Sequence, residues 1–201
     1  MSYVIWQTPT KQSMPSISRV SADTPPDRLA AQVKFMTDHK ADPTVTTLPA
    51  SKFDKAVGAK GLSWQVVPNL GRGDAVVALP QGRPATTPAD GMRLDYGVTL
   101  AKDGAAEVQL LLSPTLDTTG GQGIRIGVSI DDGPVQTLVS HLIPTPGSAT
   151  RPEQAAWVEA VKNNGHMLTA RFEGVKAGRH TVKLWRIDDN AVLESLNITQ
   201  R

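Results

Sequence analysis

The chain of 201 residues is long enough for one large domain, or one domain with an arm, and buries a single core without staples; it has no cysteine, which neither reveals nor excludes an oxidising compartment. Lysine and arginine number 21 against 19 acids, a formal charge of +2 with the basic residues dispersed, whereas a nucleic-acid footprint needs a clustered basic stripe. No apolar run has the length of a membrane span, and Met1-Ser2-Tyr3 lacks the basic start and apolar block of a signal peptide.

Residues 1–43 are rich in Pro, Ser and Thr and read as an N-terminal arm. They hold one helical candidate, Pro26 to His39, with Leu29, Val33 and Met36 on one face behind a Thr24-x-x-Asp27 capping pattern. From Thr44 onward the pattern changes to short apolar runs. These fall at Thr44–Leu48, Ser63–Val67, Ala75–Leu79, Arg93–Leu100, Ala106–Ser113, Ile124–Ile130, Val135–Val139, Met167–Phe172, His180–Ile187 and Val192–Thr199. Polar turns such as Asn69-Leu70-Gly71, Asp90-Gly91, Asp103-Gly104, Gly120-Gly121, Asp132-Gly133 and Ala177-Gly178 separate them. In Ile124 to Ile130 the even positions are apolar while Arg125, Gly127 and Ser129 take the other face, which suits an antiparallel sheet with one face buried. Ten short strands with polar turns predict an all-β fold, an antiparallel, jelly-roll-like β-sandwich over 44–201. One short helix interrupts them at Glu153 to Asn164, with Thr150-x-x-Glu153 as capping box, Gly165 as stop, and Trp157, Ala160 and Val161 on one face.

No pattern of reactive residues stands out. Gly121-x-Gly123 leads into a strand, whereas a phosphate loop needs the N-terminus of a following helix; the glycines between Leu112 and Ile124 therefore read as a hairpin turn. Ser129 lies in mid-strand and not on a strand-to-helix elbow. His39, His141, His166 and His180 have no spacing that brings two onto one metal locally, and His180, at the start of a strand, reads as a capping or packing residue. The acid pairs Asp131-Asp132 and Asp188-Asp189 sit at strand ends, where neighbours point to opposite faces, so each reads as a turn former and not as a glycosidase pair. No catalytic or metal-binding residue and no cofactor is predicted; a structural calcium ion is compatible with these acids, but no EF-hand-like spacing supports one.

Aromatic residues make up only 4% of the chain, so each carries information. Trp64, beside Val66 on an early strand, reads as core or as packing under the following loop, with sugar contact as the alternative. Tyr96 shares its parity with Leu94 and Val98 and is predicted to be buried. Trp185 differs, because Val182 and Leu184 take the inward parity and leave it on the other face. Flanked by Lys183 and Arg186, it suits either stacking on a sugar with a cation for a uronate, or docking of the helix.

Taken together, Ser63 to Pro80, Val108 to Pro134 and Ala177 to Ile198 resemble the C-terminal domain of glycoside hydrolase family 115, the xylan α-1,2-glucuronidases. Tyr3 to Pro15 is similar to the segment that enters this region, so the resemblance runs in order along nearly the whole chain. One departure is local: Asp188-Asp189-Asn190 stands where family members often have Asp-Pro-Gly. The resemblance implies a catalytic barrel upstream of Tyr3, with no position here matching its active-site residues, and a parent enzyme exported to the periplasm or beyond. It favours a non-catalytic accessory domain that binds or presents glucuronoxylan through Trp185, Lys183, Arg186 and Trp64. The competing reading is a structural or dimerisation domain whose partner is the catalytic domain or another subunit of the glucuronidase. Neither reading involves nucleic acid or a membrane.

Overall fold

A computed structural model describes residues 45–143 and 152–200. The arm over 1–43, its helical candidate and Thr150 of the proposed capping box lie outside the described residues. Among the described residues, eleven strands form two antiparallel sheets. The first contains β1 (Val45–Pro49), β3 (Ser63–Leu70), β4 (Gly73–Leu79), β6 (Gly104–Leu112), β9 (His166–Val175) and β11 (Leu193–Gln200), in the order β3-β4-β11-β6-β9 with β1 also on β11. The second contains β2 (Lys55–Val57), β5 (Arg93–Leu100), β7 (Ile124–Ile130), β8 (Gln136–Ser140) and β10 (Gly178–Arg186), in the order β2-β5-β10-β7-β8.

The two sheets exist as a pair because each has one apolar face to hide. Val108, Leu110, Leu112, Leu168, Leu196 and Ile198 from the first sheet meet Leu94, Tyr96, Val98, Ile126, Val128, Val182 and Leu184 from the second in one buried cluster. Tyr96 is fully buried, as its parity predicts, and its hydroxyl donates to the Ala50 carbonyl at 2.7 Å, fixing the turn after β1 to the second sheet.

The strands over 93–100 and 124–130 form where the sequence places them. The three-residue β2 is too short to show alternation and was not expected. The glycine-rich segment between β6 and β7 is a correction: it does not close a hairpin but carries the chain from one sheet to the other. Alternation places Leu110 and Ile126 on buried faces, yet it reads the same whether two strands are neighbours or face each other across a core. The crossing is held by Asp117, whose carboxylate accepts from the Thr119 amide at 2.7 Å and the Gly123 amide at 2.9 Å.

The helix α1 (Pro152–Lys162) forms as expected, but its apolar stripe does not. Ala160 is buried, Trp157 is half-buried, and Val161 is 51% exposed. Asn164, with φ of 45°, takes the left-handed conformation at its end, and the Gly165 amide donates to Ala160 at 2.9 Å. A Cβ at Gly165 would lie 2.6 Å from a Leu111 methyl, so any larger residue there displaces that side chain.

Two substitutions test this core. Leu184→Ala should cost about 2–5 kcal/mol, because the sandwich cannot collapse into the space left. Tyr96→Phe should cost about 1–3 kcal/mol by stranding the Ala50 carbonyl. Urea denaturation midpoints check both, and an unchanged midpoint for either would contradict the packing described.

Candidate carbohydrate-binding face

Strand β10 runs through the middle of the second sheet, paired to β5 on one side and β7 on the other. Val182 and Leu184 point into the core, so Lys183 and Trp185 stand on the outer face. Antiparallel register then sets their neighbours. Trp185 lies between Arg93 of β5 and Gly127 of β7, and Lys183 lies between Asp95 and Ser129, with Lys55 of β2 beyond Asp95.

Gly127 makes room for the indole. A Cβ there would lie 3.0 Å from the Trp185 Cβ and 2.8 Å from a Val135 methyl. The indole Nε1 donates to the Ser129 hydroxyl at 3.0 Å, and the Arg93 guanidinium carbon sits 5.2 Å from the ring centroid, a cation–π contact. Arg93 is anchored in turn through Nε to Asp95 Oδ1 at 2.9 Å. Lys183 Nζ reaches Asp132 Oδ1 at 2.7 Å. The result is a half-buried aromatic ring on the outer face of the sheet, with Arg93 over it and Lys183 two positions away on the same strand.

Of the four residues singled out from the sequence, the fold brings Trp185 and Lys183 together on this face. Arg186 goes elsewhere: two positions after Leu184, it takes the inward parity, is 2% exposed, and donates to the carbonyls of Pro84 at 2.9 Å and Arg83 at 3.3 Å. Three positions on, Asp189 accepts from the Gly82 and Arg83 amides, so the first part of the β4–β5 loop is tied to the segment that follows β10. Trp64 belongs to the first sheet, half-buried against Leu62, Ala78 and Met92. Sequence reading missed Arg93 and Asp95. Their polar parity against Leu94 and Tyr96 was visible, but their register with Trp185 and Lys183 was not.

The acid pairs are structural fasteners. Asp188 holds Arg125 through two bonds, Nε at 2.7 Å and Nη2 at 2.8 Å, and this hydrogen-bonded guanidinium keeps its carboxyl below the usual range. Asn190, with φ of 65°, adopts the left-handed conformation, which asparagine tolerates better than most residues. Asp131 accepts from the Thr181 amide at 2.8 Å and pairs with His180 Nδ1 at 2.7 Å, while the Lys176 carbonyl meets His180 Nε2 at 2.8 Å. With an acceptor on each ring nitrogen, the hydrogen bond that His180 donates to Asp131 above all raises the His180 pKa above its ordinary 6.5. Among the described residues no group of three His, Cys, Asp or Glu side chains is placed to hold a metal ion.

These features define an antiparallel two-sheet β-sandwich, with one outer sheet face bearing an aromatic ring and a guanidinium over it. Residues 41–201 match the model of the glycosyl hydrolase family 115 C-terminal domain, and the chain belongs to that family. Among solved structures it is similar to a family 115 4-O-methyl-α-glucuronidase with specificity for decorated arabinogalactans, at 14% identity and a TM-score of 0.58 over 81% of this chain. The chain spans only 18% of the length of that protein. It is also similar to the C-terminal family 6 module of a laminarinase from Zobellia galactanivorans, at 16% identity over 78% of this chain and 99% of the module, with a TM-score of 0.48. A family 35 carbohydrate-binding module from Clostridium thermocellum matches at 12% identity over 77% and 98%, also with a TM-score of 0.48. Comparison with curated proteins gave no match.

The His180–Asp131 pair has a definite pH signature. The folded pKa of His180 is raised above 6.5, so its contribution is full below pH 6.5 and is lost as pH rises through the folded value. Burial works against ionisation of Asp131, but the hydrogen bonds from His180 and Thr181 outweigh it and lower its pKa below 3.8, so its contribution is lost as pH falls through that lowered value. Urea titrations of the protein and of His180→Gln should differ most between about pH 4 and 6.5 and converge at alkaline pH. A gap that is constant with pH would contradict the charged pair.

Proposed function

We propose that this domain is a non-catalytic accessory sandwich that binds or presents glucuronoxylan to the catalytic part of a glucuronidase, using the outer face of the second sheet. The domain begins at about Thr44, with residues 1–43 as its arm. Membership of the family 115 C-terminal group supports the accessory role. The observation that carries the sugar-binding part is Trp185, held outward and half-buried beside Gly127, with Arg93 over it and Lys183 on the same face. An exposed aromatic face takes the apolar side of a pyranose, and neighbouring cations take its acidic substituents. Trp64 and Arg186 serve the frame in this reading.

A structural or dimerisation role without sugar affinity is the second reading. It draws on the same residue, because the indole N–H already has Ser129 as a partner and the ring already carries the Arg93 guanidinium.

Affinity electrophoresis on glucuronoxylan against unsubstituted xylan separates the two. The first reading expects retardation on glucuronoxylan with a millimolar to high-micromolar Kd, roughly 4–6 kcal/mol for one stacked ring and one ion pair. Trp185→Ala should abolish it and leave the melting temperature within a few degrees. No retardation of the folded protein, or a steep drop in melting temperature for Trp185→Ala, favours the structural role. The purified chain should release no methylglucuronic acid from xylan.

A further inference from the structure

Three cations lie on the sheet face that bears Trp185, and they are not equivalent. Lys55 stands exposed on the short edge strand β2, opposite Asp95. Lys183 is already committed to Asp132 at 2.7 Å. Arg93 alone of the three is both fixed and unsaturated. Its Nε is bonded to Asp95 at 2.9 Å, its Nη1 makes a long contact of 3.4 Å to the Gly91 carbonyl, and the indole supports its plane. Nη2 has no hydrogen-bond partner among the described residues, and the side chain keeps 23% of its surface exposed.

A guanidinium held at Nε, with only a long contact at Nη1 and none at Nη2 among the described residues, is a ready receptor for a carboxylate. The planar fork matches the two oxygens, and little side-chain entropy remains to be lost on binding. Asp95 is flanked in register by Lys55 and Lys183, and Asp132 is bonded to Lys183.

We propose that Arg93 is the residue that selects a hexuronate on this face, accepting the sugar's carboxylate on its Nη1–Nη2 edge, with Trp185 as the positioning residue that holds the guanidinium in place. The proposal rests on the reading of the face as a glycan-binding surface. It names the ligand as an acidic sugar, and it places the selectivity in a residue distant in sequence from Trp185. Neutral xylose units meet only hydroxyl-level contacts there.

Three ligands, titrated calorimetrically into the full chain, test it: a xylooligosaccharide bearing glucuronic acid, the same compound with its carboxyl reduced to an alcohol, and the undecorated xylooligosaccharide. The acidic ligand should bind at least about tenfold more tightly than its reduced form, with the preference shrinking as salt rises. Arg93→Gln should remove the preference, and Arg93→Lys should not restore it, whereas Lys183→Gln should retain it. Should Arg93→Gln fail to fold, nitrogen-15 NMR of the wild-type protein supplies the same answer. The Arg93 side-chain and Trp185 indole resonances should move with the acidic ligand and stay in place with the reduced one. Equal binding of acidic and reduced ligands overturns the role of Arg93 while leaving a glycan-binding face. A preference that survives in Arg93→Gln overturns it too. Binding of none of the three removes the glycan-binding reading itself.

Discussion

The burial of two apolar sheet faces against each other is the constraint on which the rest of this domain depends. Once Val182 and Leu184 of β10 are committed to the core, the pleat leaves no choice for Lys183 and Trp185, which must face out. Because β10 is the central strand of its sheet, that outward pair lies in the middle of a face with neighbours on both sides, not at an edge. The core therefore determines the position of the candidate site without contributing an atom to it.

The polar network at one end of the sandwich has a complementary task. Chains that cross between sheets need their loops tied down, and here the ties converge on the segment joining β10 to β11. Thr86 donates to the Arg186 carbonyl at 2.6 Å, Arg186 returns bonds to the β4–β5 loop, and Asp188 clamps Arg125 at the start of β7. Glu194 completes the set: it is 5% exposed and accepts from the Arg72 amide at 2.9 Å and the Ser113 hydroxyl at 2.6 Å. It sits in the β11 bulge where the partner strand changes from β4 to β1, and Gly71 is needed opposite because a Cβ would run into its carboxylate. Charged residues at this end are consumed by architecture.

The outer face of the second sheet distributes its charges differently. Arg93 and Lys183 are each bonded to one acid, yet the guanidinium has no partner at Nη2 among the described residues and the indole keeps part of its surface. Carboxylate recognition depends more on a fixed, incompletely satisfied fork than on total charge, which for the whole chain is only +2. Fold alone does not define a function, and a two-sheet sandwich serves many.

The period-two alternation in the sequence determined the all-β class, the buried parity of Tyr96 and the outward parity of Trp185, because inside-or-outside is a local property of a pleated strand. The family was legible too, since long ordered segments carry it. What only the tertiary structure decided is which strand lies beside which. Alternation does not distinguish a hairpin from a crossing, so the segment after Leu112 was misread, and it left α1 with a stripe that only Ala160 buries. Arg186 follows its parity inward, although adjacency to Trp185 in the chain suggested a shared face. Arg93 stands 92 positions before Trp185 and reaches its ring only because β5 and β10 pair in one particular register. Hydrogen-bonded strand pairing between distant segments is set by the global packing of both sheets, and no window of sequence contains it.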